Sequence, residues 1–159
     1  MESSSDASLH LTCLQQTLER EMPICRAMEL SARSWNDQQL AMQMPLAPNR
    51  NHQYSAFAGS LSALCTITGW GVVFLLLREK GLTGNIVIRR SGIRYLRPVR
   101  SPHIVAQSLP ADREHVGYFF ELLESKGRSK IDVAVAIADE QGAYVKFTGS
   151  YVVQEVARA

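Results

Sequence analysis

The apolar positions of the chain recur with two different periods, and each period predicts one kind of element. Near the N-terminus the spacing is helical and involves Leu11, Leu14, Leu18 and Met22. We therefore predict a first helix that is capped by Asp6 or Ser8 and ends at Pro23, because the residue before a proline avoids the helical conformation. Residues 1–8 are predicted to form an N-terminal tail.

Alternation of apolar and polar residues predicts three pairs of strands. The strands are expected over residues 28–33, 40–44, 86–95, 104–108, 131–137 and 145–153. In the third strand the apolar face changes side between Ile88 and Ile93. We predict a β-bulge at Ser91-Gly92, because one extra residue inverts the alternation. An amphipathic helix is predicted over residues 110–126, ended by Gly127, and the hairpins favour a largely antiparallel sheet.

The centre of the chain follows neither period. Residues 51–77 contain no Lys, Arg, Asp or Glu, so the helix predicted from Ala56 to Gly81, with Gly81 and Gly84 closing it, is apolar on every side. Such a helix is buried, either in a membrane or in a protein core. Its first half carries Ser and Thr hydroxyls, and each predicted strand has one apolar face that needs a partner to cover. We therefore predict a wrapped core helix and no membrane span.

Composition narrows the class of protein. The 159 residues suggest one domain, and a net charge of +2 gives no reason to expect a nucleic-acid partner. The cysteines are odd in number and show no CxxC spacing, which favours reduced thiols in a cytoplasm. The N-terminus is acidic and polar, without the basic and apolar regions of a secretion signal. We expect a cytoplasmic protein.

A long helix wrapped by a curved antiparallel sheet resembles the hotdog fold of acyl-CoA and acyl-ACP thioesterases and dehydratases. Four segments are similar to the thioesterase branch known from the C-terminal domain of YiiD: 47–51 (APNRN), 56–61 (AFAGSL), 68–71 (TGWG) and 93–99 (IRYLRPV). The resemblance implies one α+β hotdog domain over residues 9–156. It also implies an N-terminal helix, an extra helix between strands 4 and 5, and assembly as a homodimer or a dimer of dimers.

The implied activity is hydrolysis of an acyl thioester of coenzyme A or of acyl carrier protein. Phenylacetate-type hotdog thioesterases carry an Asn, a Gly three residues later, His-Gly-Gly at the helix start and an Asp two turns into the helix. Here Asn51 matches the Asn, and Tyr54 replaces the first Gly. Residues 57–59 (Phe-Ala-Gly) replace His-Gly-Gly, and Thr66 stands at the Asp position. A dehydratase would need a His with an Asp or Glu, and this helix has neither.

We expect three catalytic residues, Asn51, Gly59 and Thr66. Backbone N–H groups of Ala58 and Gly59 at the helix start would polarise the carbonyl, and Thr66 would orient a water. The general base is left open between Glu29, Asp37 and a partner subunit, with His52 as another candidate acid or base. Because the carboxylate is missing, the alternative function is a non-catalytic acyl-CoA or acyl-carrier binding protein.

Further contacts to the substrate are expected from the same loop and helix start and from one arginine-rich strand. They are Asn49, Phe57, Ala58, Ser60, Arg89, Arg90 and Arg94. The arginines suit the phosphates of coenzyme A or phosphopantetheine, and the alternative is a solvated strand face that protects a sheet edge. The apolar run Trp70–Leu77 suits a fatty or aromatic acyl chain. We expect no cofactor and no metal, since the histidines lack metal-ligand spacing.

Each of these residues also has a structural interpretation. The two asparagines could satisfy turn backbone, Gly59 could only allow close packing, and the helix hydroxyls of Ser60, Ser62 and Thr66 could bond back to helix carbonyls. Cys65 lies in an apolar run and is predicted to be an inert buried thiol.

Overall fold

The structure, a computed structural model, describes residues 4–159 and has four α-helices and six strands within that range. In chain order the elements are α1 (Ser4–Glu21), α2 (Ile24–Ala27), β1 (Ser31–Asn36), β2 (Gln39–Pro45), a 3-10 turn (Ala47–Asn49), α3 (Ala58–Glu79), β3 (Leu82–Tyr95), β4 (His103–Ser108), α4 (Arg113–Lys126), β5 (Ser129–Asp139) and β6 (Gly142–Arg158). The strand order is β1-β2-β4-β5-β6-β3, and all neighbours are antiparallel. The predicted α+β hotdog fold is confirmed.

The helix α3 forms the core of the fold. It has the length and mean hydropathy (1.9) of a membrane span, yet 67% of its apolar window is buried within the protein's own sheet and helices. Inward-facing side chains of the strands, such as Met42 on β2 and Val133 on β5, pack into the same core. The strands' need for an apolar partner therefore accounts for the composition of α3.

The two edges of the sheet differ. At β1, the side-chain amide of Gln15 in α1 donates to the Leu30 carbonyl at 3.0 Å and accepts from the Ala32 N–H at 2.8 Å. Gln15 thus occupies backbone groups that another strand would use. At the other edge, β3 pairs with β6 on one side only, and Val87 and Ile88 are 43% and 38% exposed.

Several predicted boundaries are wrong: α3 begins at Ala58 and not at Ala56, and β3 and β6 are longer than predicted. Residues 4–8 belong to α1 and not to a tail, while residues 1–3 lie outside the described range. Residues 28–30 are not part of a strand, because α2 follows Pro23 and Glu29 adopts a left-handed φ of 55° before β1 begins. Gly84 lies within β3, and the turn after α3 is made by Gly81, whose φ is 65°.

The face change in β3 is real, but the predicted bulge is two residues out of place. Ile88 pairs with Tyr151 and Arg90 pairs with Ser150, so Arg89 is the extra residue. Gly92 pairs regularly with Thr148. The glycine suggested a bulge in the sequence, but the sheet places the irregularity at an exposed arginine.

Candidate active site at the start of the central helix

The first turn of α3 presents free backbone donors. Phe57 occupies the N-cap position and has no side-chain acceptor, and the first helical bond runs from the Leu61 N–H to the Phe57 carbonyl at 3.1 Å. Within the described chain, the N–H groups of Ala58, Gly59 and Ser60 have no acceptor. An uncapped helix start combines free donors with the positive end of the helix dipole. It can therefore bind a carbonyl oxygen or an oxyanion.

These donors lie beside a cleft of about 280 Å³. Its lining residues come from the loop before α3, the first turn of α3 and the segment after β3: Ser55, Ala56, Ala58, Leu61, Tyr95, Leu96, Arg97, Pro98 and Val99. The hydroxyl of Tyr95 donates to the Ala58 carbonyl at 3.2 Å, which ties the end of β3 to the helix start. The Ala56 N–H donates to the Val99 carbonyl at 2.8 Å and closes the far wall.

Gly59 makes room for an aromatic ring. A Cβ on Gly59 would lie 2.4 Å from Cε1 of Phe57, so the ring occupies the space that a larger residue would need. Phe57 is 55% exposed and can swing away from this position. The geometry therefore brings Phe57, Ala58 and Gly59 together, and the ring of Phe57 partly covers the first helical turn.

The side chain of Asn51 is committed to its own loop. Its Oδ1 accepts from the N–H groups of Gln53 (2.9 Å) and Ser55 (3.2 Å), and its Nδ2 donates to the Ser55 hydroxyl at 2.9 Å. These bonds fix the turn that leads into α3. They favour the structural interpretation of Asn51 over a direct contact with substrate.

Asn49 is the more deeply anchored of the two asparagines. It is 2% exposed, and its Nδ2 donates to the carbonyls of Met28 (2.9 Å) and Pro45 (2.8 Å). Its own carbonyl accepts from the Phe57 N–H at 2.8 Å. Asn49 therefore fixes the cap residue of α3 from inside the protein and does not face the cleft.

Thr66 lies two turns into α3, about 10 Å along the axis from Gly59, and is half-buried. The other helical threonines, Thr12, Thr17 and Thr68, each donate to the carbonyl four residues earlier. The Thr66 hydroxyl, by contrast, has no partner among residues 4–159. A hydroxyl that does not bond back to its own helix is available to a water or a ligand.

The three arginines Arg89, Arg90 and Arg94 are exposed and have no acidic partner in the described chain. Arg94 stands directly opposite Lys146 on β6. Like charges at opposed positions of a sheet repel each other, and a bound anion would relieve this repulsion. Arg94 precedes Tyr95 in β3, so its side chain lies on the outer face of the sheet, opposite to the Tyr95 ring that contacts the helix start.

Among residues 4–159, no carboxylate lines the cleft. The carboxylate joined to its wall is Asp139, which bonds to Arg97 at 3.4 Å. A hydrogen bond from Tyr144, with others from the Gln141 N–H and Arg97, holds the pKa of Asp139 below its usual value. A carboxylate stabilised in this way is a weak base.

The carboxylates named from the sequence stand elsewhere. Asp37 lines a separate groove of about 850 Å³ together with Glu79 and Lys80, at the opposite end of α3, so it is too far from Gly59 to serve as a base in the same chain. Glu29 is exposed and lies beside Met28, whose carbonyl binds Asn49. Burial raises the pKa of the Cys65 thiol to about 12, which makes it a poor nucleophile.

Sequence reasoning missed Tyr95 as a site residue. It lies in the IRYLRPV segment, which carried the family resemblance, so the motif marked the segment but not the role of this residue. Sequence reasoning also missed Tyr151, which contacts Thr66 across 85 positions of sequence. No local pattern marks that contact.

Comparison with known proteins places this geometry in a family. The family model described as "Putative thioesterase (yiiD_Cterm)" matches residues 11–155. A protein of unknown function from Chlorobaculum tepidum is 30% identical, with a TM-score of 0.86 over 90% of this chain and 93% of its own. A protein described as a "putative thioesterase" from Shewanella oneidensis is also 30% identical, with a TM-score of 0.83 over 92% of this chain and 99% of its own.

More distant structures share the fold alone. The PaaI protein of the E. coli phenylacetic acid degradation operon is 16% identical, with a TM-score of 0.61 over 91% of this chain and 94% of its own. The match of the family model, together with two relatives at 30% identity, covers nearly the whole described chain. The chain belongs to the YiiD_C family of the hotdog fold.

Proposed function

We propose that the protein is an acyl thioesterase that hydrolyses acyl thioesters of coenzyme A or acyl carrier protein. One observation carries the proposal: the free N–H groups of Ala58, Gly59 and Ser60 at an uncapped helix start beside a cleft, in a chain of the YiiD_C family.

In the proposed reaction the thioester carbonyl oxygen accepts hydrogen bonds from these N–H groups. Water attacks the carbonyl carbon, the C–S bond breaks, and a proton from the water passes to the departing thiolate, which gives a carboxylic acid and a thiol. Donors aimed at the developing oxyanion contribute on the order of 3 kcal/mol each. The free hydroxyl of Thr66 orients the water, although it is far too weak a base to deprotonate it.

The other residues of the site act around this step. Asn51 and Asn49 hold the loop and the cap of α3 in place, and Phe57 covers the helix start until substrate arrives. The half-buried Trp70 and Phe74 stack with ring centroids 5.3 Å apart on one side of α3 and suit an apolar acyl chain. Arg94, with Arg89 and Arg90 further along β3, binds the phosphates of the carrier group.

The free edge of β3 is the proposed dimer contact. The strand is 14 residues long and has one unpaired edge, and such an edge is a template for pairing with another strand. Pairing through β3 would bring a second copy next to Trp70 and the arginines, and that copy would supply the missing base. Unpaired Cys13, Cys25 and Cys65 suit a cytoplasmic location.

A second candidate function is binding of acyl-CoA or an acyl carrier without hydrolysis. The observation that favours it is that no carboxylate of the described residues lines the cleft and that position 66 is a threonine. Both functions use the same helix start and the same arginines, so only turnover separates them.

The test is release of free thiol from a panel of acyl-CoA and acyl-ACP substrates of different chain length. We expect turnover by the wild type, a loss of about tenfold or more in kcat for Thr66→Val, and substantial recovery in Thr66→Ser. Thr12→Val makes the same change on α1 and serves as the control. Absence of thiol release from every substrate, with measurable acyl-CoA binding, would establish the binder and exclude the esterase.

Asn51→Asp tests whether the asparagine acts through its loop. The aspartate keeps the acceptor for the Gln53 and Ser55 N–H groups and can accept from the Ser55 hydroxyl where the amide donated to it, but it cannot donate to a substrate oxygen. We expect kcat to stay within about threefold of the wild type. A loss of a hundredfold in a folded protein would assign Asn51 a direct role instead.

A further inference from the structure

The hydroxyl of Tyr151 lies inside α3, at the turn that begins with Thr66. Tyr151 belongs to β6 and is fully buried, and its hydroxyl donates to the Thr66 carbonyl at 2.7 Å. In an α-helix this carbonyl is the acceptor for the N–H of residue 70. The Trp70 N–H also interacts with the Tyr151 oxygen and partly offsets the rise in pKa that burial causes. The Tyr151 side chain thus contacts the Thr66 carbonyl and the Trp70 N–H, the two backbone groups that pair with each other in an α-helix.

Two glycines make this contact possible. A Cβ on Gly69 would lie 2.2 Å from the Tyr151 hydroxyl oxygen, and a Cβ on Gly149 would lie 2.8 Å from its Cε2. Glycine is unfavourable in the middle of a helix and of a strand. The ring of Tyr151 accounts for Gly69, and together with the ring of Phe147, whose Cε1 would lie 3.0 Å from the added Cβ, it accounts for Gly149.

The carbonyl that Tyr151 contacts belongs to Thr66, a residue of the proposed site. The Thr66 side chain makes no hydrogen bond within the described chain, while its carbonyl is held from the sheet. Because the Thr66 carbonyl is held in place, the positions that the Thr66 hydroxyl can occupy are restricted. The same contact also sets how far the helix start, two turns away, extends toward Tyr95.

We propose that Tyr151 is a positioning residue of the thioesterase site, a role that rests on the proposed function. Its hydroxyl fixes the axial position of α3 against β6. It thereby holds the Thr66 hydroxyl and the N–H groups of Ala58 and Gly59 at a constant separation from β3. Tyr151 does not touch the substrate.

The test compares Tyr151→Phe with Cys65→Ala. Tyr151→Phe removes the hydroxyl and keeps the ring. Cys65→Ala removes a buried side chain near Tyr151 and leaves the hydrogen bond from the Tyr151 hydroxyl to the Thr66 carbonyl in place. With the acyl-CoA panel, we expect Tyr151→Phe to lower kcat by about tenfold or more with KM within about twofold. Cys65→Ala should retain wild-type kcat at temperatures where both variants are folded. Equal losses in the two variants would overturn the proposal, because a general loosening of the core would explain both.

A second readout does not depend on turnover. Amide chemical shifts of Ala58 and Gly59, which Tyr151 does not contact, should move in Tyr151→Phe and stay in place in Cys65→Ala. Shifts confined to residues 66–70 would overturn the proposal. A wild type that hydrolyses no thioester would overturn the proposed function alone, and the shifts of Ala58 and Gly59 would still decide whether Tyr151 sets the helix start.

Gly149→Ala is the second variant should Tyr151→Phe fail to fold. Its Cβ would press on the rings of Tyr151 and Phe147 and would not remove the Tyr151 hydroxyl. We expect the same amide shifts and a smaller loss of kcat. Unchanged shifts and unchanged kcat in this variant would count against the proposal.

Discussion

The middle of α3 and its first turn are parts of one helix with opposite surroundings. Cys65, Thr68 and Gly69 are buried, and even a glycine hydrogen faces the ring of Tyr151. At Ala58 and Gly59 the helix is exposed, uncapped and covered only by the movable ring of Phe57. The rigid part holds the open part in place, which allows donors to stay unpaired without the helix fraying. Stability and proposed chemistry are therefore carried by different turns of the same element.

The largest expected effect comes from placing the same methyl group in each region. Gly69→Ala puts a Cβ against the buried Tyr151 hydroxyl, and we expect it to lower the free energy of unfolding by about 3 kcal/mol or more. Gly59→Ala meets only the exposed Phe57 ring, which can rotate away, so we expect a change below about 0.5 kcal/mol. Urea denaturation of both variants checks the difference. Equal destabilisation would mean that the first turn is as tightly packed as the middle.

The loop before α3 also has a more buried and a more exposed anchor, Asn49 and Asn51, and the expected effects on stability are smaller. Asn49→Ala leaves the buried Met28 carbonyl and the part-buried Pro45 carbonyl without their donor, and we expect a loss of about 2 kcal/mol in the free energy of unfolding. Asn51→Ala frees the exposed Gln53 N–H and two part-buried groups of Ser55, so a smaller loss of about 1 kcal/mol is expected. The measurement is the denaturation midpoint of each variant at constant m-value. A larger loss for Asn51→Ala would show that the outer turn, and not Asn49, anchors the cap.

Alkaline pH should weaken the packed middle. Burial raises the pKa of Cys65 from 9.0 to about 12, so between these values the unfolded chain releases a proton that the folded chain retains. The stabilisation is complete below pH 9 and is lost as pH rises toward 12, at about 1.4 kcal/mol per pH unit. Urea titrations between pH 9 and 10 should show a shallower fall for Cys65→Ala than for the wild type. Parallel slopes would indicate that the thiol ionises freely in the folded protein.

The sequence predicted the fold well because period and burial are local signals. Alternation in residues 131–137 and 145–153 located the strands around the turn at Gly142, and the absence of charge located α3. The main error in the strands arose where a residue preference and the pairing of two strands indicated different positions for the bulge. Gly92 suggested a bulge, but the register of β3 against β6 placed it at Arg89, and only the partner strand contains that information.

The site was predicted less completely, since its geometry depends on contacts between distant residues. Gly59 was identified at the helix start, but the position of the Phe57 ring over it follows from a side-chain conformation. The loop bonds of Asn51 could be expected from its residue type, because asparagine commonly bonds to its own turn. Tyr151 and Thr66 are 85 positions apart, and no spacing within either segment points to the other.

In the proposed pairing through β3, the amide of Gln15 affects whether further copies can add to the sheet. A sheet with two open edges can add copies at both ends and grow without limit. Here Gln15 already occupies the backbone groups of Leu30 and Ala32 at one edge, while β3 at the other stays open. A contact between two β3 strands is self-complementary and uses the open edge of both copies. In the proposed dimer, Gln15 thus disfavours the addition of a further strand at residues 30–32 of the opposite edge.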